Sequence, residues 1–488
     1  MRQSKLFGLV RLFSDSDLKR AEVFLTSPYF NSSEVLIKLF RYIKKYVHQP
    51  DHPKFTKEQA YRYLYGDVPF NAGNLRTLSS RLNSLLCEFL AVEELKGDQA
   101  TSSRLLITSL SQRKAYPAFT REIEQRVKSL KRQATRGTAF YLELLWLNQA
   151  FFFHPDTPRT SKGGESLSEI MNCTDLFFVL SKLQLANELF IRETILPEKR
   201  QVHLLPQIIE LGETKLAEQN KLIKLYTGVI HLQKNGLEKQ QLQNCIDDFL
   251  NHRALMEKSD QTQFLHNLIN LTLTALNAGQ NEFLPDVVNL YKVAVSHNLM
   301  LDRDRIAYTT FVNVAILGAA AKEFSWTREF IAQFTGHIDP KYQGYATKMA
   351  WAFWYYQRGL HNNTPDDYEQ AIHHLSQVSY ISVPIDLRIR SLLLRIYYDY
   401  HWVQKDDVNL LLDHLDAFEK YIMRNATISS ARAEGYHNLI KTTRHLVRLK
   451  SNKKQPITPK VEALQQEIEQ SDKLVLRVWL SEKVKELR

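Results

Sequence analysis

The sequence predicts an all-α fold, and three observations carry that prediction. Glycine and proline are scarce, 16 and 15 among 488 residues, against about 7% and 5% in an average protein, so turns are few and elements long. A sandwich or barrel needs a turn signal about every 8 to 12 residues, which this chain does not supply. Apolar residues recur at helical spacing over long windows, as at Leu75, Leu78, Leu82, Leu85 and Phe89, which gathers them on one stripe of a 3.6-residue turn. Hydrophobic residues make up 44% and aromatics 11%, enough to bury a core rather than leave the chain disordered.

Residues 1–97 read as a helical head. Ser14 or Ser16 caps a helix carrying Leu18, Phe24 and Leu25, which Ser27-Pro28-Tyr29-Phe30-Asn31 interrupts. A second helix runs to about Val47. Pro50 and Pro53 bracket a loop, and Thr56 with Gln59 reads as a capping box opening a short helix that ends before Gly66. The Gly73–Leu95 helix follows. Gly97-Asp98-Gln99 then opens a basic helical connector over 98–153, with nine Lys or Arg between 101 and 136 against Glu122 and Glu124. The stretch from His154 to Glu165, with Pro155, Pro158, Gly163 and Gly164, is a boundary loop. A helical repeat region occupies 168–450. A linker with Lys453, Lys454, Pro456 and Pro459 then leads to a C-terminal amphipathic helix at 459–488.

Within the repeat region, helical hairpins can be drawn at 262–277 with 282–296, 304–321 with 325–335, 342–358 with 366–378, and 385–402 with 406–423, a period of about 40 residues. In the last pair, Ile385, Ile389, Leu392, Leu393, Ile396 and Tyr400 form one stripe and Val408, Leu411, Leu412, Leu415, Phe418 and Ile422 another. A lone hairpin cannot cover both faces, so neighbours must stack on it, which is the basis of an α-solenoid. Tyr355, Gly359, Ala371 and Leu375, with Pro384 beyond, keep the offsets of a tetratricopeptide unit, although Asn362 to Asp367 reads as an insertion between its helices.

A wider resemblance rests on Leu12-Phe13-Ser14 with Asp17-Leu18, on Phe24-Leu25-Thr26-Ser27-Pro28-Tyr29-Phe30-Asn31, on Leu393-Leu394-Arg395-Ile396-Tyr397-Tyr398 and on Trp479-Leu480. Together they resemble landmarks of uncharacterised helical, tetratricopeptide-like proteins of Bacteroidota. That resemblance implies the architecture and carries no activity with it.

The chemistry-bearing motifs are missing. There is no phosphate-cradling glycine loop, no G-x-S-x-G elbow and no H-E-x-x-H helix. Cys87, Cys173 and Cys245 lie in no disulfide or zinc spacing. His373-His374 with His361, and Asp413-His414, are the nearest approach to a metal cluster, but adjacent helical residues diverge by about 100°, so solvated or core-edge histidines are the simpler reading. Asp366-Asp367 and Asp406-Asp407 read as helix-start acids that complement the macrodipole. No enzyme, cofactor or metal is expected.

No window holds 18 uninterrupted apolar residues, so no transmembrane segment is expected. The apolar run Leu6–Val10 is cut by Arg11, too short for a signal peptide, and Asp15, Asp17 and Glu22 argue against a transit peptide. A cytoplasmic protein is the expectation.

The net charge of +11 admits nucleic acid, an acidic protein or an anionic surface, and solubility alone also accounts for it. Two partner classes follow. Trp351, Trp354 and Tyr355, in the densest aromatic run, are candidates for a protein-binding groove, with packing between hairpins as the simpler alternative. The helices at 57–65 and 73–92 have the order of a winged helix-turn-helix, in which Arg76, Ser80, Asn83 and Ser84 would face DNA or RNA. Lys441, Arg444 and Arg448 share a helix face and add a phosphate-neutralising stripe, as does the basic stretch at 113–136. The preferred expectation is a non-enzymatic scaffold with a protein partner; the alternative is a nucleic-acid-binding regulator.

Overall fold

A computed structural model describes residues 2–157, 162–195, 201–404, 408–451 and 458–487. Among the described residues the secondary structure is helical, with no strand and only two isolated bridges, as the scarcity of turn residues predicts. The chain divides into two compact units, one of residues 1–134 and 138–177, the other of residues 135–137 and 178–488.

The first unit opens with α1 (Lys5–Val10), α2 (Asp15–Thr26), α3 (Glu34–Tyr46), α4 (Lys57–Tyr65) and α5 (Ala72–Gly97). Ser14 caps α2 through a reciprocal box with Asp17, each donating a backbone N–H to the other's side chain, which satisfies two orphan donors at once. Thr56 caps α4 by accepting from the Gln59 N–H, without the return bond from the Gln59 side chain that the expected capping box would add. These helices share one core, with Phe7, Leu25, Leu39, Phe40, Leu82 and Phe89 almost wholly buried. Helix α1 was not foreseen, yet it places Leu6, Phe7 and Val10 in that core. The stripe on α5 is Leu75, Leu78, Leu82, Leu86 and Phe89; Leu86 rather than Leu85 takes the inward position, because i+4 from Leu82 follows the helical turn more closely than i+3 does there. Helices α6 (Gln99–Gln112), α7 (Tyr116–Arg132) and α8 (Thr138–Phe152) continue by packing each on the next. Helix α9 (Lys162–Ile195) contains the division between units. It begins inside the stretch expected as a boundary loop, of which Pro158 lies outside the described residues.

The second unit continues with α10 (Leu205–Gly212), α11 (Lys215–Gln219), α12 (Lys221–Asn235) and α13 (Lys239–His252). The four expected hairpins are α14 (Lys258–Asn277) with α15 (Leu284–Ser296), α16 (Tyr308–Ala320) with α17 (Phe324–Phe334), α18 (Pro340–Asn362) with α19 (Pro365–Ser376), and α20 (Val383–Gln404) with α21 (Asn409–Arg424). Each hairpin packs on its successor, and α16, α18 and α20 also meet directly. The helix expected from 304 starts instead at Tyr308, since Asp302 and Arg305 exchange backbone hydrogen bonds of 2.9 Å and the Ile306 N–H donates to the His337 carbonyl. First helices thus begin at Lys258, Tyr308, Pro340 and Val383, an uneven interval in place of a constant period.

The insertion expected at 362–367 is also absent. Helix α18 runs to Asn362, Asn363 turns through the left-handed region at φ 56°, and α19 starts with Pro365 in its first turn. At Gly359 the two helices approach so closely that a Cβ would lie 3.0 Å from the Tyr368 ring. Ala371 and Leu375 are buried on the facing side.

Beyond α22 (Ser430–Ser451), the single amphipathic helix expected at 459–488 is two helices, α23 (Thr458–Gln470) and α24 (Arg477–Lys485). They are separated by a turn through Leu476 at φ 57°. Both pack on α22, and Val461, Leu464, Ile468, Trp479, Leu480 and Val484 share one core with Leu394, Tyr398, Leu415 and Phe418. No helix among the described residues is long and apolar enough to cross a membrane.

Candidate functional site

The aromatic run on α18 separates by burial. A helix cannot turn five consecutive large side chains one way, and Phe353, Trp354 and Tyr356 point into the protein. Trp354 is 5% exposed, and its Nε1–H donates to the Phe324 carbonyl at 2.9 Å. It is a core residue with its donor satisfied, so the groove expected to include it does not have it on the surface. Trp351 and Tyr355 are half-buried, and both stack against His374 of α19, with centroids 6.4 and 5.5 Å away. The Arg358 guanidinium lies 4.3 Å from the Trp354 centroid and 5.1 Å from that of Tyr355, a cation–π arrangement. Its Nε donates to both carboxylate oxygens of the buried Asp367 at 3.0 Å. That hydrogen bonding, ahead of the opposing effect of burial, raises the Arg358 pKa. Asp367 is therefore more than a helix-start acid: it fixes Arg358 against the aromatic ledge. Asp406 and Asp407, read the same way, lie outside the described residues.

Behind the ledge is a charged cluster that the sequence reading missed. The fully buried Tyr356 hydroxyl donates to Asp399 of α20 at 2.6 Å. Lys483 of α24 reaches the same carboxylate at 2.8 Å and Glu486 at 2.8 Å. Burial pushes the Tyr356 pKa well up, and the Asp399 charge adds to it. For Lys483, burial alone would lower the pKa, but Asp399 and Glu486 outweigh it and hold it above the ordinary value. The signals available were an aspartate inside an apolar helix stripe and a lysine among Trp479, Leu480 and Val484; nothing local joins positions so far apart.

The basic candidates also divide. Lys441 pairs with Glu467 at 3.0 Å, and Arg444 with Asp416 at 2.5 Å and Glu419 at 2.8 Å, so two of the three stripe cations are neutralised by α21 and α23. Arg448 is exposed. In the 113–136 stretch, Arg126 is buried against Glu143 at 3.0 Å and Lys131 pairs with Glu169 at 2.8 Å. Lys453 and Lys454 lie outside the described residues. On α5, Arg76, Ser80 and Ser84 are exposed and Asn83 is half-buried, on the side away from the leucine stripe. Ser84 donates to the Ser80 carbonyl, and the Asn83 amide faces the Cys87 thiol. Because α5 stays helical to Gly97, no wing hairpin follows the 73–92 helix directly.

An open cleft of about 800 Å³ lies among α10, α11, α12 and α13. Its walls carry mixed charge, with His231 on Glu213 at 2.8 Å and Lys224 on Asp248 at 3.4 Å. Cys245 lines it, but burial pushes that thiol up to about 11, the opposite of the shift that activates a nucleophile. The His373 Nε2 lies 2.7 Å from the Gln377 side-chain nitrogen. His374 has its pKa lowered, first by burial and then by His373. No group of three His, Cys, Asp or Glu suited to holding a metal ion gathers among the described residues. No family model, curated protein or solved structure matches the chain.

Proposed function

We propose that this is a non-enzymatic, cytoplasmic interaction protein whose stacked helical hairpins form a tetratricopeptide-like α-solenoid surface that binds another macromolecule, a protein in preference. The observation that carries the reading is the chain of neighbour contacts from α14 to α21, in which each hairpin packs on the next and the first helices α16, α18 and α20 meet directly. Stacking of that kind covers apolar stripes by repetition and leaves an extended surface for partners. The close approach of Gly359 to Tyr368 and Asp367, with Ala371 and Leu375 buried further along α19, is in keeping with the small-residue packing of a tetratricopeptide-like pair. On this reading the docking feature is the ledge of Trp351, Tyr355 and His374, with Trp354 as its support. The likeness to helical proteins of Bacteroidota belongs to the same proposal.

A nucleic-acid reading keeps one observation in its favour: Arg76 is exposed and makes none of the ion pairs found among the described residues. Against it, Lys441 and Arg444 are already engaged by acids of the chain.

The test is an affinity capture of tagged protein from its native lysate, with and without nuclease, read by mass spectrometry and by nucleic-acid staining. The proposal expects a stoichiometric protein partner that survives nuclease and is lost with Trp351→Ala/Tyr355→Ala. Recovery of nucleic acid, with binding abolished by Arg76→Glu, would overturn it in favour of the second reading.

A further inference from the structure

A second cavity, of about 400 Å³, opens in the second unit where α16, α18, α20 and α22 meet the turn before α24. Its chemistry differs from that of the large cleft. Arg388 and Arg432 line it together with Tyr308, Tyr345, Ser391 and Tyr436, and no acidic side chain does. Apart from Thr309, the remaining wall is aliphatic. Arg390, two residues on and therefore on the other side of α20, is held by Asp386 at 3.0 Å and lies 4.1 Å from the Tyr421 centroid. Arg388 and Arg432 make none of the ion pairs found among the described residues.

Both guanidiniums border this one cavity, and both act electrostatically on the Tyr436 hydroxyl, which also meets Ser391. Tyr345 is buried, yet its hydroxyl oxygen has no well-formed hydrogen bond among the described residues, although Arg388 stands beside it. A buried hydroxyl left unsatisfied is costly, and an acceptor entering the cavity would relieve it. Tyr308 stacks on Tyr342 with centroids 4.4 Å apart and meets Tyr345 edge-on at 6.0 Å, so Tyr308 and Tyr345 make one side of the cavity aromatic.

Two uncompensated cations with forked donors match a dianion that offers three acceptor oxygens. A phosphate monoester carries about −1.5 to −2 charge at neutral pH, and arginine pairs with it in parallel hydrogen bonds. A monocarboxylate would neutralise only one of the two. Free phosphate would leave the aromatic and aliphatic walls wet, whereas a volume at the small end of ligand pockets suits a body about one ring in size.

We propose that this cavity binds a small phosphate monoester with an apolar, ring-sized body, its phosphate held between Arg388 and Arg432 and its oxygens accepting hydrogen bonds from the Tyr345 and Tyr436 hydroxyls. The site is independent of whether the hairpin surface binds a protein.

Isothermal titration of the full chain with phenyl phosphate, inorganic phosphate, benzoate and benzyl alcohol at low salt tests it. The proposal expects one saturable site for phenyl phosphate, about tenfold or more tighter than for benzoate or inorganic phosphate, and none for benzyl alcohol. Arg388→Gln and Arg432→Gln should each weaken it by about tenfold to a hundredfold, the effect of losing a charge-assisted contact. Both side chains are exposed, and melting curves without ligand confirm that each variant folds. Tyr345→Phe, which keeps the volume and removes the hydroxyl, should weaken binding severalfold and carries the test if an arginine variant melts early. Absence of saturable phenyl phosphate binding, benzoate binding as tightly, or full binding by the arginine double variant would each overturn the proposal.

Discussion

Asp399 is 6% exposed and Lys483 8% exposed, and each has the other as its close, buried opposite charge. Truncating one partner of a buried pair strands the other charge, at a cost of about 3–5 kcal/mol, while replacing both by apolar groups of similar volume is often neutral. Asp399→Ala should therefore lower the urea midpoint strongly, and Asp399→Leu combined with Lys483→Met should recover most of the loss. A small effect of the single change would show that the pair is solvated. His414 gives a prediction in pH. Its Nε2–H donates to the Arg390 carbonyl at 2.9 Å, and burial pushes its pKa down to about 4. An unfolded histidine takes its proton near 6.5. Between those values the unfolded chain binds more protons than the folded one, so stability falls as the pH drops from about 6.5 towards 4, by roughly 3 kcal/mol in total. His414→Gln should flatten that part of the stability curve, measured by urea unfolding at several pH values. Neither residue announced its role in the sequence. An aspartate or histidine on a helix is ordinarily solvated, and only the tertiary packing decides otherwise.

At the scale of elements, helices were legible where the apolar period was long and turn chemistry was unambiguous. Ser14 and Thr56 were readable as caps because their side chains satisfy N–H groups that any helix leaves open. Ser14→Ala should cost about 1 kcal/mol, read as a lower melting temperature of the first unit. Helix α1 escaped because six residues make too short a window for periodicity. The break between α23 and α24 escaped because left-handed Leu476 replaces the glycine or asparagine that usually marks such a turn. Glycines within α18 give opposite expectations from one helix. At Gly344 an added Cβ meets nothing within 4 Å, so Gly344→Ala should stabilise by up to about 1 kcal/mol through helix propensity. At Gly359 the Tyr368 ring is 1% exposed and has no room to retreat, so overpacking of about 1–3 kcal/mol exceeds the propensity gain. Gly359→Ala should destabilise, and equal melting shifts for the two variants would contradict the close approach.

For the molecule as a whole, fold class was carried by composition, whereas the placement of surfaces was not. Periodicity says that Trp351, Trp354 and Tyr355 lie on one helix; which of them faces outward depends on where α17 and α19 pack, and that is written in distant residues such as Phe324 and His374. Arg388 and Arg432 illustrate the same limit, since each is an ordinary helical arginine until α20 and α22 bring them to one cavity. Deleting residues 458–487 should uncover the core face of α22 and leave Asp399 without its cation. Loss of cooperative unfolding in the second unit, with new binding of a hydrophobic dye, is the expected outcome; an unchanged, sharp transition would mean that α23 and α24 are accessory. The order in which a ribosome makes these residues gives the pair a further meaning. At about 5–20 residues per second, Lys483 is synthesised on the order of ten seconds after Asp399. Throughout that interval the nascent helix holds a carboxylate that has no reason to enter an apolar interior. Completion of this core is thereby deferred until α24 has been made, and a chain stalled before that helix would present an unfinished, charge-bearing core to the quality-control machinery of the cell.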